Sequence, residues 1–279
     1  MTSIVDAMDD PNLFGKFFTP VENWRPWRVF LKAVFALPMD DDELATYRYH
    51  TGRDHPPVEP FTETWIPVGR RGGKSIIAAL IADYLACFRD YQEYLAPGER
   101  ATVAVLAADR KQARVIMRYV AGLIESVPML QKMVVRQTTE EVELSNNVTI
   151  EVQTASFRAT RGYTYAAVLC DEIAYWRSDE SANPDSEILA ALRPGMASIP
   201  GAMMIGLSSP YAKRGELWQA YRQHFGQDGA PVLVWQAASR EMNPTLDQRI
   251  IDQAYERDPA RAAAEYGGQF RSDIEGYIA

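Results

Sequence analysis

Short apolar runs alternate along this chain with stretches whose apolar positions recur at helical spacing. The runs at 101–107 and 166–172 have too few polar positions for a half-exposed strand and predict strands buried on both faces of a parallel sheet, and further strands are predicted at 62–68, 202–207 and 232–237. Helical patterns cover 24–37, 43–49, 76–87, 111–124 and 215–223, with a further helix reaching Leu192. Two alternating segments, 140–144 and 148–153, flank Asn146-Asn147 and predict a hairpin. Strands alternating with helices give an α/β class: a mostly parallel central sheet flanked by helices on both faces. The stretch 50–60, with three prolines, and the polar stretch 178–185 read as loops. Residues 1–20 read as a flexible or partner-bound arm. The chain shows neither an internal repeat nor a low-complexity tract.

Composition narrows this picture. A chain of 279 residues with 47% hydrophobic content suffices for one large α/β domain or two small ones. The net charge of −8 excludes a uniformly basic surface, so any contact with nucleic acid must be made by a local stripe of Arg and Lys. Cys87 and Cys170 lie inside apolar runs and lack metal-ligand spacing, so neither a disulfide nor zinc is expected. No apolar stretch has membrane-spanning length, and the first residues are acidic (Asp6, Asp9, Asp10), unlike a signal peptide. A soluble, intracellular protein with no membrane partner is the expectation.

The candidate chemistry begins at residues 66–75, Ile-Pro-Val-Gly-Arg-Arg-Gly-Gly-Lys-Ser. A β-prone lead-in enters a glycine-rich loop, Gly69, Arg70, Arg71, Gly72 and Gly73, followed by Lys74, Ser75 and a helix. This order builds a phosphate cradle: backbone N–H groups and a helix N-terminus face the anion, the ammonium meets the terminal phosphates, and the hydroxyl ligates Mg2+. The usual pattern places its first glycine where Val68 stands, so this loop departs from the common form. The apolar run Ala-Ala-Val-Leu-Cys-Asp-Glu (166–172) supplies the second element. Ligands gather at the carboxyl ends of parallel strands, where Asp171 can hold Mg2+ and Glu172 can orient and deprotonate an attacking water. Loop and acids together predict a P-loop NTPase of the ASCE type, which carries a catalytic glutamate.

Three more stretches stand in order with these two. Residues 104–118 read Ala-Val-Leu-Ala-Ala-Asp-Arg-Lys-Gln-Ala-Arg-Val-Ile-Met-Arg; Thr160-Arg161-Gly162 precedes the acidic strand; and 203–210 read Met-Met-Ile-Gly-Leu-Ser-Ser-Pro. With all five, the chain resembles the ATPase half of a large terminase subunit, the DNA-packaging motor of tailed bacteriophages. The resemblance implies that Arg70, inside the phosphate loop, forks onto γ-phosphate oxygens or senses their loss. It implies that Arg161 reaches the nucleotide of a neighbouring subunit in trans, with Arg158 as the rival, and that an inserted cation stabilises developing phosphoryl charge. Ser208, Ser209 and Pro210 become a coupling motif that senses the γ-phosphate. Arg110, Lys111, Arg114 and Arg118 lie along one helix edge, either as phosphate contacts or as a solvated charged face. Trp27 or Arg28 is positioned for base stacking, or alternatively belongs to the core or surface.

The same resemblance implies ATP as the nucleotide, double-stranded DNA as the translocated substrate, and a portal protein and a small terminase subunit as partners. It further implies a homo-oligomeric ring, a pentamer in the family, that docks on a viral procapsid in the host cytoplasm, with a monomer as the alternative in isolation. Domain boundaries follow as 1–60 for an arm and adenine-side helical segment, 61–262 for the ATPase core, and 263–279 for the start of a linker toward a nuclease domain. The segment 265–273 resembles the run that opens such a domain, and too few residues follow it for a nuclease, so DNA cleavage is not expected of this chain. The competing reading is a helicase- or recombinase-like ATPase that depends on nucleic acid.

Overall fold

A computed structural model describes residues 2–156, 160–176 and 184–272. Among them are eight strands: β1 (Glu63–Pro67), β2 (Ala101–Ala107), β3 (Val134–Gln137), β4 (Glu141–Leu144), β5 (Val148–Thr154), β6 (Thr164–Asp171), β7 (Met203–Ser208) and β8 (Val232–Val234). They form one sheet in the order β3-β4-β5-β2-β6-β7-β1-β8. The pairs β2/β5, β2/β6 and β1/β8 are parallel, whereas β3/β4 and β4/β5 are antiparallel. The sheet is therefore mixed and mostly parallel, as the alternation of elements predicts.

The chain divides into two compact units. The first comprises Met1–Phe18 with Ser75–Ile205. Its helices are α1 (Ile4–Asp9), α4 (Lys74–Phe88, entered one residue earlier), α5 (Arg110–Glu125), α6 (Pro128–Gln131) and α7 (Pro184–Met196). All seven residues of β2 are buried, which accounts for the absence of polar alternation in its sequence. Helix α5 packs its Ala113, Ile116, Met117 and Val120 side onto β2 and β5, and α7 packs on β6. The hairpin forms as expected, with Val142 opposite Ile150 and Asn147 at φ 62° in its turn.

The amino-terminal segment is not an arm. Ser3 and Asp6 form a capping box that starts α1, and Ile4, Ala7, Met8, Phe14 and Phe18 are buried. Phe14 meets Phe88, the Tyr84 hydroxyl donates to the Thr2 carbonyl at 3.0 Å, and the Lys16 ammonium donates to the Ser126 carbonyl at 2.9 Å. The acids that mark this stretch as polar occupy one side of a helix too short to show periodicity, while its apolar side is covered.

The second unit comprises Thr19–Lys74 with Gly206–Ala279. It holds α2 (Arg25–Val34), α3 (Asp41–Thr51), α8 (Gly215–His224), α9 (Ser239–Met242), α10 (Gln248–Arg257) and α11 (Pro259–Glu265). Helix α8 lies against β1 and β8, and α2 against α3 and α9. An aromatic core links them: Phe30 meets both Trp27 and Trp235 edge-on, and the His50 ring stacks on Trp235 at 4.8 Å. Burial lowers the pKa of His50, which keeps the stacked imidazole neutral near pH 7. Residues 263–272, read from sequence as the start of a linker, pack within this unit: Phe270 meets Trp218 and Tyr221, and the Arg271 amide donates to the Tyr211 carbonyl at 2.8 Å. Residues 273–279 of that expected linker, most of the expected polar loop at 178–185, and Arg158 lie outside the described residues.

Candidate functional site

The phosphate loop departs from the common pattern for a packing reason. Val68 continues the strand, bridging Ala237 and donating its amide to the Ser208 carbonyl at 3.1 Å, so a side chain is accommodated there and is fully buried. The crowded position is the next one. A Cβ on Gly69 would lie 2.3 Å from Oγ of Ser239 and 2.7 Å from the Tyr266 carbonyl oxygen, which only glycine avoids. At the far end, Gly73 has φ +97°, and a Cβ there would come within 3.0 Å of Nε1 of Trp27.

The loop is held from outside by its backbone oxygens. The Trp27 indole N–H donates to the Gly72 carbonyl at 2.8 Å, the Ser239 hydroxyl to the Arg70 carbonyl at 2.6 Å, and the Asn243 amide to the Arg71 carbonyl at 2.8 Å. The Gly69 amide donates to the Ala237 carbonyl at 3.1 Å and the Arg70 amide to the Glu265 carbonyl at 2.5 Å. The exposed Arg70 guanidinium lies 3.7 Å from the Glu265 carboxylate. Arg71 is exposed and adopts φ +62°, unfavourable for a residue with a Cβ. Lys74 is buried at 7% exposure, and its ammonium donates to the carbonyls of Val68 at 2.7 Å and Gly69 at 3.2 Å and to the Ser209 hydroxyl at 3.3 Å. The loop, Lys74 and Ser209 thus come together within the second unit. Ser208 and Ser209 are both buried, and the Ser208 hydroxyl donates to the Ser209 carbonyl at 2.8 Å. Pro210 stands two residues past the end of β7.

Trp27 and Arg28 belong to the core. Trp27 has no exposed surface and no face left for a base, and Arg28, 7% exposed, donates to the Val21 carbonyl at 3.0 Å. The roles of Trp27, Ser239 and Asn243 at the loop were not visible in sequence, because each lies far along the chain from residues 69–73 and carries no motif.

In the first unit, Ser75 stands in the first turn of α4, half-buried. Asp171 closes β6 at 8% exposure, and its carbonyl accepts from the Trp176 indole at 2.9 Å. Glu172 follows in a left-handed conformation, φ 48° and ψ 43°, and leads into a single 3-10 turn, Ile173–Tyr175. A non-glycine residue in this region costs about 1–2 kcal/mol, and such strain persists where surrounding structure imposes it, as at functional sites. Arg161 is exposed and lines an open depression of about 370 Å³ with Thr160, Gly162, Ala190, Ala191, Pro194 and Gly195. On α5, Lys111, Arg114, Val115, Arg118 and Tyr119 share the solvent face, although Arg114 is engaged by Glu140 at 3.0 Å; the Arg110 side chain lies outside the described residues.

Two ionisable groups on α4 lie in an apolar setting, and of these Asp83 was not anticipated. Asp83, in the middle of α4, is fully buried with neither carboxylate oxygen hydrogen-bonded among the described residues, and burial pushes its pKa well above the usual carboxylate value. Burial, reinforced by Asp83 one turn earlier, likewise pushes the pKa of the partly exposed Cys87 thiol well above its ordinary value. Among the described residues, no group of three or more His, Cys, Asp or Glu could hold a metal ion, and no helix is long and apolar enough to cross a membrane.

Comparison with known proteins bears on the fold. Among solved structures, the ATPase domain of the Thermus phage P74-26 large terminase is similar with a TM-score of 0.59 at 16% identity, covering 86% of this chain and 97% of that one. The HK97 bacteriophage large terminase matches with a TM-score of 0.59 at 17% identity over 88% of this chain and 55% of its own. The large terminase of the thermophilic bacteriophage D6E, in complex with ATP-gamma-S, matches with a TM-score of 0.54 at 12% identity over 88% and 52%. This chain therefore spans about half the length of the HK97 and D6E proteins, and at these identities the likeness establishes the fold. No curated protein matches the chain. Residues 47–267 match the family described as the N-terminal P-loop domain of uncharacterized protein MJ0330, and the chain belongs to that family of P-loop domains.

Proposed function

We propose that this chain is a magnesium-dependent ATPase of the terminase type, a motor domain that turns ATP hydrolysis into movement of double-stranded DNA. The observation that carries the reading is the phosphate loop, whose carbonyls at 70, 71 and 72 are all drawn outward while Lys74 is buried against its base. A loop arranged this way presents N–H groups and an ammonium to an anion. In this reading Gly69 to Lys74 cradle the phosphates and Arg70 answers to the γ-phosphate. Glu172 orients and deprotonates the attacking water, and Ser209 reports phosphate loss through its bond to Lys74.

The residues fit a magnesium ion. A hard cation takes oxygen donors and keeps several waters, so the Ser75 hydroxyl and the Asp171 carboxylate suffice beside phosphate oxygens, without a dedicated cluster of protein ligands. Bound there, magnesium would neutralise charge on the phosphate oxygens. ATP as the preferred nucleotide is supported by the fold shared with a protein solved with ATP-gamma-S. The DNA-packaging role, the portal and small-terminase partners, the ring and the trans action of Arg161 are supported by the same fold and by the motif order. The alternative, a helicase- or recombinase-like ATPase, shares the exposed Lys111, Arg118 and Tyr119 face of α5.

The deciding experiment is ATP turnover of the purified protein across a range of concentrations, with and without double-stranded DNA and portal, beside Lys74→Ala. Turnover that rises with concentration and with portal supports the motor. Stimulation by single-stranded nucleic acid alone favours the alternative, and wild-type turnover no higher than that of Lys74→Ala removes the ATPase reading.

A further inference from the structure

We infer that Trp27, Ser239 and Asn243 are positioning residues of the phosphate loop, setting its affinity for the phosphates without touching them; the inference rests on the nucleotide-binding reading above. Each donates to a different, consecutive loop oxygen: Ser239 to Arg70 O at 2.6 Å, Asn243 to Arg71 O at 2.8 Å, Trp27 to Gly72 O at 2.8 Å. A trans peptide sends its N–H opposite to its C=O. Fixing these oxygens therefore aims the amides of Arg71, Gly72 and Gly73 the other way. The Gly72 amide closes the turn onto the Gly69 carbonyl at 3.2 Å, and those of Arg71 and Gly73 are aimed where a phosphate oxygen would accept from them.

The three donors are themselves fixed. Trp27 and Ser239 have no exposed surface. The Ser239 amide is tied to the Tyr266 carbonyl at 2.7 Å, and the Asn243 side-chain oxygen accepts from the Thr245 amide at 3.2 Å and its hydroxyl at 2.6 Å. The Asn243 bond falls on Arg71, the loop residue held at φ +62° although it has a Cβ. Without that bond, Arg71 relaxes toward an ordinary conformation and its peptide turns. Preorganised donors bind an anion more tightly because ordering is not left for the ligand to impose.

The test compares Asn243→Asp, Ser239→Ala and their double variant with the wild type. Asn243→Asp keeps an oxygen to cap Thr245 but puts a charged acceptor where the donor to the loop stood, so Asn243→Ala is measured beside it to separate the lost hydrogen bond from the added charge. Affinity for Mg-ATP and for magnesium pyrophosphate is measured by calorimetry, with KM and kcat for ATP. Each single variant is expected to weaken both ligands by about three- to tenfold, the worth of one hydrogen bond, and the double variant by about ten- to a hundredfold. KM should rise in step while kcat and the melting temperature stay near wild type, which general damage to the fold would not produce. Wild-type affinity in a folded Asn243→Asp overturns the inference and leaves the nucleotide site standing. A wild-type protein that binds neither ligand overturns the nucleotide reading itself, and this inference with it.

Discussion

The ammonium of Lys74 lies 3.3 Å from the hydroxyl oxygen of Ser209, joining the end of the phosphate loop to the residue just past β7. The same ammonium is held by the Val68 and Gly69 carbonyls, so a phosphate that draws Lys74 forward must act against three contacts, one of which reports to β7. Lys74→Ala is expected to abolish measurable nucleotide binding. Ser209→Ala should bind ATP almost normally and lose about tenfold in turnover, the order of one hydrogen bond. Calorimetry beside steady-state turnover checks both, and a Ser209→Ala enzyme with wild-type kcat ends the sensing role.

Glu172 is strained where it stands, at φ 48°. Glu172→Gln should retain ATP affinity and lose about 10²- to 10⁴-fold in turnover, the usual worth of a general base. Glu172→Gly should lose turnover equally while melting no lower than Glu172→Gln, because glycine tolerates the left-handed region. Paired melts and phosphate-release assays decide, and an active Glu172→Gln would remove this residue from the chemistry.

Asp83 makes stability depend on pH. Its folded pKa is raised by burial, so its contribution is fully present below the unfolded value near 4 and is lost as pH rises toward the folded pKa. Wild-type stability should therefore fall more steeply, as pH rises above about 4, than that of Asp83→Asn, which carries no titrating group there. Urea titrations at several pH values measure this; parallel curves would show that Asp83 is not the titrating group.

Arg161 is exposed, so a role in a neighbour's catalysis has a specific signature. Arg161→Ala should bind ATP as wild type does and show its turnover defect only under conditions of assembly. Mixing it with Glu172→Gln should restore activity, since each defective chain retains what the other lacks. Mixtures with no activity above the sum of their parts would place Arg161 outside trans catalysis.

The strands other than the exposed β3, and most longer helices, were legible in the sequence because their signals are local: β2 is apolar throughout because both its faces are covered, and the hairpin is marked by Asn146-Asn147. The phosphate loop and the Asp171-Glu172 strand end were legible for the same reason, since spacing along the chain sets their geometry. Helices α1, α9 and α11 were not, because a helix of one or two turns shows too little periodicity; the ten-residue α10 was also missed, its mostly polar sequence burying only Ile251.

Residue order by itself determined the class of fold and the loop chemistry, through interactions among neighbours in the chain. Only the tertiary structure decided that Trp27 serves the loop rather than a base, that Ser239 explains glycine at 69, that Asn243 holds Arg71 in a left-handed turn, and that Asp83 is buried without a hydrogen-bond partner among the described residues. Each of these depends on residues distant in sequence meeting in space, and hydrogen bonding and desolvation are set by what surrounds an atom rather than by its position along the chain.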